Sequence, residues 1–142
     1  MLQNKAVIVF LMFVFCGYCI GCGSKHKTKE EHYPDGKLKA VYIYNDAGML
    51  DGVTKEYEAN GKLKSEETYK NNVKEGISKE YYESGKLKVE RNMKNGKEEG
   101  IAKMYYESGE LSGEGNMKNG KGEGIAKMYN RDDLPPKKWT HS

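Results

Sequence analysis

The feature that most limits the fold of this chain is a glycine pattern that recurs about every 24 residues. The string GIAKMY occupies residues 100–105 and returns unchanged at 124–129. One set of glycines, each followed two residues later by leucine, comprises Gly36, Gly61, Gly85 and Gly109. A second set comprises Gly52, Gly76, Gly100 and Gly124. Recurrence at this interval in a chain of 142 residues predicts a series of similar structural units instead of one globular core.

Apolar residues inside each unit have the spacing of β-strands. Six residues separate each leucine of the first set from a tyrosine or methionine, as in Leu63 and Tyr69. Four residues separate Val53 from Tyr57, and the same interval recurs in the later units. Even spacing places both members of a pair on one face of a strand. The pattern therefore predicts two strands in each unit.

Turn signals lie between the predicted strands. Asn95-Gly96 and Asn119-Gly120 are the dipeptide that best closes a two-residue hairpin, and Asn71-Asn72 is a weaker version of it. Ser84-Gly85 and Ser108-Gly109 mark the other reversals. We therefore predict an all-β fold: one elongated, single antiparallel sheet of tandem β-hairpin repeats of ~24 residues, with about eight strands in all.

The first residues differ from the rest and read as an export signal. Lys5 precedes an uncharged and largely apolar run over residues 6–23, which contains all three cysteines. Cys19-Ile20-Gly21-Cys22 resembles a bacterial lipobox, in which Cys22 becomes lipidated after cleavage behind Gly21. An uncleaved N-terminal anchor is the alternative. Both interpretations predict an exported chain held at a bacterial membrane, inner or outer, with the repeats outside the cytoplasm.

The predicted organisation has four parts. Residues 1–21 are a lipoprotein signal peptide, 22–32 a polar tether, 33–129 four repeats, and 130–142 a C-terminal cap or tail. Lysines of the tether could touch anionic headgroups, although a solvated linker is the simpler interpretation. Pro135-Pro136 cannot donate ladder hydrogen bonds, so the tail is predicted to stop strand pairing.

The sequence offers little for catalysis, metal binding or nucleic acid. The C-x-x-C-x-x-C spacing of the cysteines lies inside the targeting segment, and the repeats contain neither cysteine nor histidine. Paired carboxylates such as Glu66-Glu67 favour a solvated face over a glycosidase-like acid pair. The chain has 24 basic and 21 acidic residues, and this nearly balanced charge does not indicate nucleic-acid binding. We predict no catalytic residues, no cofactor and no metal.

Adjacent tyrosines are the most plausible contact residues for a partner. Neighbouring strand positions face opposite sides, so Tyr81-Tyr82 and Tyr105-Tyr106 each present one ring to each face. We expect a structural row in which tyrosines pack with Val53 and the isoleucines, on the face that also carries a lysine in every unit. The row comprises Tyr57, Tyr81, Tyr105 and Tyr129, and the lysines are Lys55, Lys79, Lys103 and Lys127. Tyr82 and Tyr106 are left either as packing residues or as exposed aromatics that bind a protein or glycan.

The recurring Tyr-x-x-x-Gly-Lys-Leu-Lys, Lys-Asn-Gly-Lys and Gly-Ile segments resemble the bacterial MORN-repeat variant family, the MORN-2 type. The resemblance implies a β-hairpin repeat fold, and relatives of this kind are often labelled YwqK-like antitoxins of toxin–antitoxin systems. Two functions follow as expectations. The first is a non-enzymatic, lipid-anchored binding or scaffolding surface. The alternative is an antitoxin or immunity protein that neutralises a toxin by direct binding.

Overall fold

The computed structural model describes residues 26–130, and all regular structure in that range is β-strand. The strands are β1 (Lys27–His32), β2 (Leu38–Tyr44), β3 (Gly52–Tyr57), β4 (Leu63–Lys70), β5 (Val73–Tyr81), β6 (Leu87–Lys94), β7 (Lys97–Glu98), β8 (Gly100–Tyr105), β9 (Leu111–Lys118) and β10 (Lys121–Met128). They form one open antiparallel sheet, which confirms the predicted fold class. The predicted signal peptide, Cys22 and the predicted cap or tail from residue 131 onward lie outside the described residues.

Strand order follows chain order across the whole described sheet. Successive strands are neighbours from β1 to β6, and β8, β9 and β10 follow, while β7 pairs with the end of β6. Apart from the two-residue β7, each strand therefore pairs only with the strands that precede and follow it in this order. At about 4.8 Å per strand the sheet is roughly 40 Å long.

Strand β1 differs from the expectation for residues 22–32, which were predicted to form a polar tether. Residues 27–31 pair one by one with β2, from Lys27 opposite Tyr44 to Glu31 opposite Ala40. Backbone hydrogen bonds to β2 form this strand, and they do not require apolar side chains. A charged segment gives no periodic signal, so only the pairing identifies it as a strand.

The first turn of each unit is a three-residue loop that ends in glycine. The glycine N–H donates to the carbonyl three residues before it, as in Gly85 to Tyr82 at 2.7 Å. These glycines all have φ between 83° and 102°: Gly36, Gly61, Gly85 and Gly109. Because an L side chain is strained at such angles, glycine is required here, and this requirement accounts for the first glycine of the repeat.

The second turn of each later unit is a two-residue loop with both central residues at positive φ. The angles are 50° and 77° for Asn95 and Gly96, and 49° and 67° for Asn71 and Asn72. This is the type I′ geometry that the dipeptides predicted. The first unit has a three-residue loop instead, closed by the bond from Gly48 N–H to Asn45 O at 3.0 Å. That loop explains its one extra residue.

The interior of this sheet is very small because the sheet is a single layer. Among the described apolar residues only Ala40 and Val89 are buried, at 1% and 9% exposure. Thr54 and Ser78 are buried near them, on the same face of the sheet. With so little buried volume, cross-strand pairs and backbone ladders provide most of the stabilisation.

Candidate binding surface

One face of the sheet carries a continuous row of alternating lysine and glutamate, and we call it the ladder face. Each member lies directly opposite the next across neighbouring strands, in the order Lys55, Glu66, Lys79, Glu90, Lys103, Glu114 and Lys127. The Lys55 Nζ to Glu66 Oε1 distance is 3.1 Å. Opposite charges in directly opposed positions stabilise a sheet and fix its register. This row therefore favours the observed register between neighbouring strands.

Tyrosine hydroxyls join the ladder from the adjacent row. Tyr81 donates to Glu66 Oε2 at 2.9 Å, and Tyr129 donates to Glu114 Oε1 at 3.1 Å. The pKa of Tyr81 is raised to about 12, mainly by partial burial and to a smaller extent by this hydrogen bond. Burial alone would raise the pKa of Glu66, but the hydrogen bonds from Tyr81 and Lys55 outweigh it and lower that pKa. The Glu66 charge therefore stabilises the fold at neutral pH, and acid removes this contribution.

The aliphatic residues of the ladder face are exposed, which corrects the prediction that they pack in a structural row. Exposure rises along the sheet, from 37% at Val53 through 52% at Ile77 and 59% at Ile101 to 92% at Ile125. The tyrosines of the predicted row are only half-buried. A single layer has no second sheet to cover this face, so the short aliphatic side chains meet solvent. They recur every second strand, at intervals of about 10 Å.

Tyr82 and Tyr106 begin the first turns and do not lie within strands. The Tyr82 hydroxyl donates to the Tyr105 carbonyl at 2.8 Å, and the Tyr106 hydroxyl donates to the Tyr129 carbonyl at 2.7 Å. Tyr33 makes the same bond to Tyr57 at 2.7 Å. Both predicted contact residues are half-buried and link one repeat to the next. The geometry thus favours the packing interpretation of these tyrosines.

Both long edges of the sheet carry further bonds between repeats. On the edge formed by the first turns, Lys37 Nζ donates to Ala59 O at 3.0 Å, and Lys62 Nζ donates to Ser84 O at 3.3 Å. On the edge formed by the second turns, Asn95 N–H donates to Glu75 Oε2 at 2.8 Å. Each bond recurs one repeat later, at Lys86 and at Asn119.

The face opposite the ladder face changes character along the sheet. Its first repeats carry charged groups, and Arg91 bridges Glu80 at 2.6 Å and Glu98 at 3.0 Å. Methionine replaces glutamate in the equivalent positions of the last repeats. Met104 and Met128 lie over Gly113, where an added Cβ would be 2.9 Å from the Met128 sulfur. This end of the opposite face is therefore apolar and smooth.

Sequence reasoning placed the ladder lysines on one face but missed their glutamate partners. The signal was present, since Glu66, Glu90 and Glu114 each lie five residues after a glycine of the first set. Their pairing with lysine could not be inferred, because the partners are 11 to 13 positions apart and meet only in the folded register.

The described residues contain neither a cluster of metal ligands nor a helix that could span a membrane. Within residues 26–130, no group of three or more His, Cys, Asp and Glu side chains is arranged to hold a metal ion. In the same part of the chain no helix has the length and apolar character needed to cross a membrane.

An open single sheet of nearly identical hairpins, joined by bonds between neighbouring repeats, defines a β-repeat protein. Residues 50–71, 74–95 and 98–119 match the sequence model of the MORN repeat variant. The chain therefore contains three consecutive repeats of this type, which indicate a repeat-based binding protein. No curated protein matches the chain.

The family model and the glycine alignment divide the chain differently. Each matched segment contains one first turn and the strands on both sides of it, so the model counts three repeats where the glycines suggest four. Strands β1 and β2 at one end of the sheet and β10 at the other end lie entirely outside the matched segments.

Proposed function

We propose that the chain is an exported, non-enzymatic lipoprotein whose sheet serves as a binding or scaffolding surface on the outer side of a bacterial membrane. The observation that supports a binding role most strongly is the exposed and periodic ladder face. Aliphatic, charged and aromatic side chains recur there in register at every second strand. Such a surface offers repeated contacts to one extended partner, protein or glycan.

The lipid anchor rests on the sequence before the sheet. The apolar run over residues 6–23 and the lipobox-like Cys19-Ile20-Gly21-Cys22 support cleavage and acylation at Cys22. The anchor would hold the sheet beside the membrane without inserting it.

The anchor is tested by the intact mass of the chain extracted from membranes, measured for wild type, Cys22→Ala and the control Cys16→Ala, which lies outside the lipobox-like motif. We expect wild type and Cys16→Ala to begin at an acylated Cys22 and Cys22→Ala to lack the acyl groups. An unprocessed chain beginning at Met1 in the cytosol would refute the anchor and favour the antitoxin alternative.

The binding role is tested by photo-crosslinking in whole cells from two adjacent positions. Ile101 lies on the ladder face and Ala102 on the opposite face, so they form a matched pair in one strand. We expect a discrete adduct from position 101 and none from position 102. An adduct from 102 alone would assign binding to the opposite face, and no adduct from either position would contradict the role.

A further inference from the structure

The last described strand has one edge with no strand against it. Strand β10 pairs with β9 on one side, and no other described strand lies along its other side, which we call the outer edge. All eight residues of β10 are exposed. Backbone N–H and C=O groups of such an edge can accept an added strand.

Equivalent edges within the same sheet are all occupied. Strand β10 corresponds to β3, β5 and β8 by steps of the repeat, and each of these pairs with the strand that follows it. The pairing runs without interruption from Gly76 opposite Met93 to Glu80 opposite Val89, and from Gly100 opposite Met117 to Met104 opposite Gly113. The irregular register of β10 lies on its β9 side. Its outer edge therefore corresponds to the edge of β5 that pairs with β6 and to the edge of β8 that pairs with β9.

The occupied edges also define which side chains an added strand must carry. Opposite the ladder lysine the following strand always has glutamate: Glu66, Glu90 or Glu114. Lys79 and Lys103 each lie between two glutamates, whereas Lys127 has only Glu114, at 3.7 Å. The Lys127 side chain is 70% exposed, compared with 33% for Lys79. The ladder thus ends on a lysine that lacks its second carboxylate among the described residues.

We propose that the outer edge of β10, from Gly124 to Met128, is a docking site for an extended segment of a partner protein. The segment adds as an antiparallel strand and places a glutamate or aspartate against Lys127. A small residue opposite Met128 matches the pairing of Met104 with Gly113. An amide opposite Ile125 matches the pairing of Ile101 with Asn116. Binding of this kind goes beyond the proposed function and does not depend on the lipid anchor.

The chain's own C-terminal sequence does not satisfy these requirements. One repeat after Glu114 the sequence has Lys138, which would set two lysines against each other. One repeat after Leu111 and Ser112 it has Pro135 and Pro136, which lack the N–H donors of a strand. Charge complementarity therefore favours an acidic segment from a different protein.

The test uses the full-length chain in detergent and a labelled peptide copied from residues 110–118, ELSGEGNMK, which carries Gly113, Glu114 and Asn116. Fluorescence anisotropy should give saturable binding. Lys127→Glu should weaken it about five- to tenfold, because a favourable pair becomes a repulsive one. A peptide with Glu114→Lys should show the reverse preference, binding Lys127→Glu better than wild type. The matched control is Lys121→Glu in the same strand, before Gly124, which should leave the affinity unchanged.

Three results would overturn the proposal. The first is the absence of saturable binding, or binding that Lys127→Glu does not alter while circular dichroism shows an intact sheet. The second is peptide binding that appears only when the chain is truncated after Asn130, which would indicate that the chain's own C-terminal residues occupy the edge. The third is dimerisation lost in Lys127→Glu without peptide binding, which would assign the edge to a second copy. None of these results bears on acylation at Cys22.

Discussion

At the scale of single residues, the fold depends on side chains that bond from one repeat to the next. Tyr33, Tyr82 and Tyr106 donate their hydroxyls to a backbone carbonyl 23 or 24 residues further along the chain. Glu58 occupies the same position in the remaining unit, where no such hydroxyl is present. The unit that contains Glu58 therefore lacks a bond that the other units have. Introducing tyrosine at position 58 should restore that bond and increase the stability of the protein.

Glu58→Tyr should stabilise the protein by up to about 1 kcal/mol, because its hydroxyl can donate to the Tyr81 carbonyl. Tyr82→Phe should destabilise it by about 0.5–1.5 kcal/mol by removing the existing bond. Free energies of unfolding from urea titrations measure both effects. Glu58→Phe is the control, since it supplies the ring without the hydroxyl. Equal stability of the Phe and Tyr variants would show that the hydroxyl bond contributes nothing.

At the scale of elements, two kinds of turn with different glycine requirements generate all the hairpins. Three-residue loops need glycine at their last position, and two-residue loops need positive φ at both positions. Asn72 satisfies the second requirement and also accepts the Leu50 N–H through its side-chain oxygen at 2.7 Å. This bond explains why asparagine stands where the later repeats have glycine.

Gly120 and Gly122 are close in sequence but differ in backbone conformation. Gly120 has φ of 78°, while Gly122 has no positive φ and has open space where a Cβ would lie. We expect Gly120→Ala to destabilise the protein by about 1–2 kcal/mol and Gly122→Ala to be neutral or slightly stabilising. Thermal unfolding followed by circular dichroism compares the two. Equal losses would mean that turn conformation is not the source of the effect.

At the scale of the whole molecule, stability is distributed along a single layer. Apart from the two-residue β7, each strand pairs only with the adjacent strands of the sheet, and the buried apolar residues of the described sheet are few and small. The stability of such an array is approximately the sum of the stabilities of its repeats and of the interfaces between neighbouring repeats. No single core residue should be indispensable to the fold.

Deletion of residues 77–100 removes one 24-residue repeat and joins Gly76 to Ile101. The new neighbours preserve the ladder, because Glu66 then faces Lys103 in place of Lys79. We expect a folded sheet whose free energy of unfolding is lower by roughly one repeat's share. Circular dichroism and urea titration provide the measurement. A shortened chain with no strand signal would instead indicate a fold that is cooperative over its full length.

The sequence by itself determined the strands of the repeats, both classes of turn and the single antiparallel sheet. Those features depend on local chemistry: glycine and asparagine tolerate positive φ at fixed positions, and even spacing gives each strand two faces. Residue spacing could not decide whether Tyr82 and Tyr106 pack within the sheet or bind a partner, because the carbonyls that their hydroxyls contact are far away in sequence. Strand β1 also escaped prediction, since its charged residues carry no apolar period.

Only the tertiary structure decided which side chains meet and which remain exposed. The lysine–glutamate ladder forms between residues that register alone brings together. The isoleucines have the spacing of a packed row, yet they are exposed because residues 26–130 form a single layer and none of them covers the ladder face. Burial depends on what lies above a face, and an alternating pattern specifies the two faces of a strand without specifying what covers either of them.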